Sequence, residues 1–268
     1  MKTSSPSKVK SILAAIALVL VMVIVFFLGR ASVPAPEATQ TETEATETSA
    51  SASEEAPEAA QNNTEPEFAE SIDNPKALEL LKKAPRNEDG DPRALGDINA
   101  PVVMVAYEDF SCPMCTRYFT DVHPQLKKYV DEGKLRIEFH DMVIFPNYGS
   151  DIAARASRAA ANQGKFWEFV EAAYAAAGAG NHPSYNEESV VALANEIGIG
   201  DVDKFRADLN SEEIQQAVQE ETAAAQIEMG VGGTPFLAFN KTVVNGAYPA
   251  DFMVKTFLNQ LQEVQSGK

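Results

Sequence analysis

Cysteine is scarce: the 268-residue chain has two. One possible bridge cannot staple a chain of this length, which excludes a disulfide-stabilised mini-protein. A structural zinc site usually draws on four Cys and His ligands. With two Cys and three scattered His, no metal site is expected. Basic residues are also outnumbered, 22 against 39 acidic, for a net charge of −17. A phosphate backbone would be repelled by such a surface, so nucleic-acid binding is not expected. Between Ala31 and Glu67 there is no aromatic residue and a single branched aliphatic, Val33. That stretch cannot bury enough apolar area to offset the entropy of ordering.

What is present divides into three blocks by charge. Residues 1–30 carry Lys2, Lys8, Lys10 and Arg30 and no acid, and residues 31–71 carry ten acids and no base. The remaining residues, 72–268, are mixed. In the first block all 17 residues from Ile12 to Leu28 are apolar, a helix of roughly 26 Å at about 1.5 Å per residue, close to the thickness of a bilayer core. Lysines before it and acids after it place the N-terminus in the cytoplasm and the rest outside. The expectation is a single-pass anchor over 1–30. A cleaved signal peptide is the rival, with an apolar core longer than such peptides usually have. Either way the remainder is exported. Residues 31–71 read as a disordered acidic Thr/Ala/Pro/Glu linker, and 72–268 as one domain with its own core.

Within that domain, Pro75 opens a short helix capped by Asn74, and Asn87–Asp91 reads as a turn. Val102–Tyr107 is a short apolar run rich in β-branched residues, as in a buried strand. After Cys112-Pro113-Met114-Cys115 the apolar residues Tyr118, Phe119, Val122, Leu126 and Tyr129 recur at helical steps, with Pro124 expected to kink the helix. Leu135–Phe139 alternates apolar and polar as a second strand. Ala-rich helical pieces follow from Ser150 to Met229, interrupted at Gly178–Gly180, His182-Pro183 and Gly198–Gly200. Pro235–Phe239 and Thr242–Val244 read as strands about a tight Asn240-Lys241 turn, and Pro249 opens a closing helix. The order is β-α-β, a block of helices over about 145–229, then β-β-α: an α/β chain with an inserted helical domain.

The chemistry sits in Cys112-Pro113-Met114-Cys115. Residues i and i+3 of a helix are about 5–6 Å apart, within the span of a disulfide. At the helix N-terminus Cys112 meets unpaired amides and the positive end of the dipole, which favour its thiolate. Pro113 fits the first turn, and Cys115, one turn in, is the more buried, resolving thiol. A structural disulfide or half of a metal site are the alternatives. Pro235, opening a strand after Thr234, is a candidate cis peptide that could hold an extended substrate chain; an ordinary strand-opening proline is the alternative. The three histidines form no cluster: His123 lies in a helix, His140 ends a strand, and His182 occupies a Pro/Gly-flanked loop. Each reads as structural or surface.

Taken together, Asp109-Phe110-Ser111-Cys112-Pro113-Met114-Cys115, Gln163-Gly164-Lys165-Phe166-Trp167 and Gly233-Thr234-Pro235 resemble the DsbA-like thiol-disulfide oxidoreductases, in particular the membrane-anchored forms of Gram-positive bacteria. The likeness runs from about Asp89 to Gln265. It implies a thioredoxin fold with a helical insertion and a cis Thr234–Pro235 bond beside Cys112. It also implies oxidation of exported cysteine-containing proteins, with reoxidation by a membrane quinone-linked partner of the DsbB or VKOR kind. No bound cofactor is expected, since the Cys112–Cys115 disulfide carries the electrons, and a monomer is expected. A reductase or isomerase of the same fold is the rival within the class. A binding module with a structural disulfide is the rival outside it, distinguished by whether Cys112 is exposed and reactive.

Two departures from the family matter. Relatives place an acid on the strand six residues before the first Cys, where this chain has Ala106; Glu108 or water is left to carry the proton of the resolving thiol. The strongly oxidising members have His between the cysteines, where this chain has Pro113-Met114. Met114 cannot donate a hydrogen bond to the thiolate. The expected potential therefore lies between about −120 mV for DsbA and about −270 mV for thioredoxin, nearer the oxidising end.

Overall fold

The central strand is the apolar run that the sequence marks. In the computed structural model, which describes residues 66–178 and 180–267, β2 (Val102–Glu108) pairs with β3 (Leu135–Asp141) in parallel and with β4 (Phe236–Phe239) antiparallel. Met104 stands opposite Ile137 on one side and Phe239 on the other, and Ala106 opposite Phe139 and Leu237. A two-residue β1 (Ala94–Leu95) and β5 (Thr242–Asn245) complete the order β1-β3-β2-β4-β5. The two-residue period of a strand sends alternate side chains to opposite faces. Val102, Met104 and Ala106 accordingly join the main core, whereas Val105 and Tyr107 join a smaller cluster with Leu81, Ala84 and Ala225.

Helices cover both faces. On the smaller-cluster side lies α1 (Pro75–Lys83), which starts where the Asn74 carboxamide oxygen accepts from the Lys76 and Ala77 amides. On the other side, α2 (Pro113–Arg117) runs through a five-residue π-turn, Tyr118–Val122, into α3 (His123–Asp131). The π-turn absorbs the break expected at Pro124, which stands in the first turn of α3 where a missing N–H costs nothing. The closing α9 (Ala250–Gln265) packs beside α3, with Phe257 and Tyr129 rings 4.6 Å apart.

Between β3 and β4 lie α4 (Ser150–Ala161), α5 (Phe166–Ala177), α6 (Glu187–Glu196), α7 (Val202–Leu209) and α8 (Glu212–Ile227). Ala153, Ala156 and Ala160 are buried on α4, so its neighbours approach a side of the helix that carries only methyl groups. Side-chain caps at Asn186, Asp201 and Ser211 start α6, α7 and α8.

Two expectations change. The alternation of β3 does not mark a wet face: Arg136 and Glu138 are buried and paired at 2.9 Å. Their side is roofed by a charged network in which Glu221 meets Arg86, Arg93 and Arg158 at 3.2, 2.7 and 2.5 Å. Nor does disorder extend to residue 71. The Ala69 amide donates to Thr256 Oγ1, the Thr242 hydroxyl donates to the Glu70 carbonyl, and Ser71 donates to Glu263. Composition does not register such polar docking. The apolar run Ile12–Leu28 and the acidic segment up to residue 65 lie outside the described residues. Among the described residues no helix is long and apolar enough to cross a membrane.

Candidate functional site

Strand β2 ends at Glu108 and a tight turn, Asp109 to Cys112, delivers the first sulfur to the start of α2. The Cys112 amide donates to the Asp109 carbonyl at 3.0 Å and the Ser111 amide to Asp109 Oδ1 at 2.6 Å. The other oxygen of that carboxylate receives the Ile144 and Phe145 amides at 2.7 and 3.0 Å. One buried acid therefore fastens the turn to the segment after β3. Cys112 is the N-cap of α2 and Pro113 its first residue. Both thiols are free.

Across the sheet edge, Thr234–Pro235 is cis. The Cys112 thiol donates to the Thr234 carbonyl at 3.4 Å. Cys115 is 0 % exposed, as its place one turn in requires. Cys112 departs from expectation: it is only 4 % exposed, because the Thr234 loop lies over it. Met114 between them is 41 % exposed and points its thioether outward. A cavity of about 500 Å³ opens beside the pair, lined by Pro113, Met114, Arg117, Thr120, Tyr174 and Gly178.

The two sulfurs differ electrostatically. The Cys112 thiol is lowered to about 6, first by a hydrogen bond from the Cys115 side chain; burial opposes this, and the Thr234 hydroxyl and the Cys115 and Met114 amides assist. The Thr234 Oγ1 has no other partner among the described residues and is placed to donate to a thiolate. Cys115 moves the other way, well above the ordinary thiol range, through burial, through its bond to Cys112 and through the nearby Glu108. No histidine stands between the cysteines, and the donors named here do the work that one would do there.

Glu108 is the buried acid of the site. Ala106 pairs with Phe139 and Leu237 in the sheet. Two residues on along the same strand, Glu108 is 3 % exposed. Burial pushes its carboxyl up to about 8; the Tyr174 hydroxyl pulls down, and the Cys112 charge adds to the rise. Its Oε2 and the phenol oxygens of Tyr118 and Tyr174 meet no geometrically sound hydrogen bond among the described residues. The three histidines form no cluster, and one of them reaches the site. His123 is buried between Phe119 and Trp167, with ring centroids 4.5 and 5.8 Å away. His140 lies 3.1 Å from Glu221. His182 reaches the turn that carries Cys112, with Nδ1 2.8 Å from the Ser111 carbonyl oxygen. Its Pro/Gly surroundings gave no sign of that contact across 71 residues.

A β-α-β and a β-β-α half joined by a helical block, with a Cys-x-x-Cys pair opening the first helix beside a cis-proline loop, define the thioredoxin class. The family model described as thioredoxin matches residues 88–257. A probable disulfide bond formation protein D from Bacillus anthracis is 33 % identical over 159 residues, which is 57 % of this chain and 71 % of that protein. One from Bacillus cereus is 31 % identical over 177 residues, 64 % of this chain and 79 % of that protein. The crystal structure of oxidised BdbD from Bacillus subtilis superposes with a TM-score of 0.58 at 24 % identity, covering 63 % of this chain and 92 % of that one. The chain belongs to the thioredoxin family, among its DsbA-like thiol-disulfide oxidoreductases.

Proposed function

We propose that the chain is an extracytoplasmic oxidase that introduces disulfides into exported proteins through Cys112 and Cys115. The observation that carries this reading is the opposed behaviour of the two sulfurs: Cys112 is a good leaving group and Cys115 is held as a thiol. In the oxidised enzyme a substrate thiolate attacks Cys112 Sγ. The Cys112–Cys115 bond breaks, and the electron pair leaves on Cys115, which takes a proton. A second substrate thiolate then attacks the substrate sulfur of the mixed disulfide and Cys112 departs as a thiolate. Substrate loses two electrons and the enzyme gains two.

Glu108, protonated at neutral pH because of its burial and felt electrostatically by Cys115, is the acid that supplies that proton in this scheme. It takes the part left open by Ala106. Pro113 and Met114 shape the approach to Cys112, and the Thr234-Pro235 loop offers backbone to an extended substrate segment. A quinone-linked membrane partner of the DsbB or VKOR kind removes the two electrons, and the N-terminal apolar run holds the chain at that membrane. No bound cofactor enters the scheme.

The test is the redox state of the pair in cells, by acid quenching and thiol trapping. A mostly oxidised pair that a thiol pulse reduces and that then recovers is the expected result. A pair held reduced would turn the assignment to a reductase or isomerase, and one that resists the pulse would leave a structural disulfide.

A further inference from the structure

The turn that delivers Cys112 has two carbonyls that its own backbone leaves unbonded, and one loop of the helical block takes both. The Tyr185 hydroxyl lies 3.4 Å from the Phe110 carbonyl oxygen and 3.2 Å from that of Ala173. His182 Nδ1 lies 2.8 Å from the Ser111 carbonyl oxygen. A carbonyl oxygen only accepts, so Nδ1 bears the hydrogen.

The imidazole is held on its other sides. It stacks on Tyr148 with centroids 4.6 Å apart at 15° and lies 4.4 Å from the Phe145 ring. The Phe145 amide is one of those bound by Asp109, whose other oxygen holds the Ser111 amide. The contacts close a circuit: Asp109, Phe145, His182, Ser111, and back to Asp109. Tyr185 is fixed to the same segment, its amide donating to the Tyr148 carbonyl at 2.8 Å. The peptide joining Ser111 to Cys112 is thus gripped at both ends, its oxygen by His182 and its N–H by the Asp109 carbonyl.

We propose that His182 is a positioning residue for thiol-disulfide exchange, setting the reactivity of Cys112 by fixing the Ser111–Cys112 peptide through the Nδ1–H to Ser111 carbonyl bond. The inference rests on the reading of Cys112 as the sulfur that exchanges with substrate. The orientation of that peptide sets the direction in which the Cys112 side chain leaves the backbone. Its thiolate is stabilised when it lies against the Cys115 thiol, on the Met114 and Cys115 amides and under Thr234. A released Ser111 carbonyl lets the peptide plane rock, and its negative end can then turn toward the sulfur.

The experiment compares the reduced full chain with His182→Leu and His182→Asn. Both side chains branch at the same carbon, but only the asparagine amide can replace the Nδ1–H donor. Two quantities are read: the midpoint of the ultraviolet thiolate titration, and the rate of attack on oxidised glutathione at pH 5, where the thiolate is the minor form and its fraction follows the midpoint. His182→Leu is expected to raise the midpoint and slow the attack about three- to tenfold, the share of one hydrogen bond. His182→Asn should return both to within about twofold of wild type. Thermal melts of each variant show whether it is folded, and His182→Ala replaces the leucine variant if that one melts early. Equal midpoints and rates in the donor-less variant and wild type would overturn the proposal. So would an asparagine variant that is folded and no better than leucine. A wild type that does not exchange with glutathione would instead overturn the reading of Cys112 itself.

Discussion

At the scale of the residue, the site works by dividing one proton and one charge between two sulfurs a helical turn apart. Cys112→Ala should abolish exchange, while Cys115→Ala should leave substrates trapped on Cys112, visible as thiol-sensitive adducts on a non-reducing gel. Glu108→Gln keeps a neutral polar group in place but can neither give nor take the proton. Formation of the mixed disulfide, the step in which Cys115 leaves and takes a proton, should slow at least about tenfold, as loss of a general acid does. The wild-type step should fall off above pH 8, where Glu108 loses its proton, and the variant should lack that inflection; stopped-flow kinetics across pH reads both. The cysteine pair was legible in the sequence because its spacing carries the chemistry, whereas Thr234-Pro235 was marked beside it only by the family resemblance. From the sequence, Glu108 stood only as one of two candidates, with water, for the part left open at Ala106. What marks Glu108 for that part is burial beside Tyr174, and that belongs to packing.

At the scale of the element, strands and helices followed from periodicity. The apolar run of β2, the strand pair about Asn240-Lys241 and the helix after Pro249 all lie where the pattern puts them. The π-turn was not legible, since Pro124 announces a break but not the geometry that absorbs it. Nor was the interlock between the segment before α4 and the loop before α6. Gly149 sits there with φ of 78°, and a Cβ on it would lie 2.0 Å from the Tyr185 carbonyl oxygen. Gly149→Ala should therefore cost about 2–3 kcal/mol from backbone strain and displacement of that loop, measured by denaturant unfolding. Exchange should slow as well, since the displaced loop is the one that grips Ser111.

At the scale of the whole molecule, the helical block is bound to the sheet by charge as well as by apolar packing. Glu221 on α8 meets one arginine from α4 and two from the connection between α1 and β1, and Arg158 also reaches Asp141 at the end of β3 at 2.6 Å. Burial alone would raise the Glu221 carboxyl, but His140 and the arginines hold it well below its ordinary range. Glu221→Ala would leave three partly buried arginines with only Asp91 and Asp141 to balance them, and a loss of about 3 kcal/mol is expected in denaturant unfolding. The sequence showed these residues as ordinary surface charges, because only the tertiary fold brings them together.

The redox state should also show in global stability. A thiol with pKa 9.0 unfolded and about 6 folded stabilises the native state fully above 9.0, and loses that contribution as pH falls through 6. The thiolate exists only in the reduced protein, whereas the burial of Glu108 is common to both forms. The melting temperature of the reduced form should therefore rise relative to the oxidised form between about pH 6 and 9. A difference that is flat with pH would show that Cys112 gains nothing from its surroundings.

The place of the helical block in the chain has a consequence for biosynthesis. Cys112 and Thr234 are 122 residues apart, and β2 gains its second neighbour only when Phe236–Phe239 has been made. While the ribosome is still producing the five helices, the central strand of the sheet has one edge open to any passing strand, a setting for misassembly. The two thiols, meanwhile, lack the loop that completes their surroundings. Newly made chains thus pass through a stage that is at once aggregation-prone and short of full reactivity. A holdase that shields Val102–Glu108 would raise the yield of active protein most during that interval.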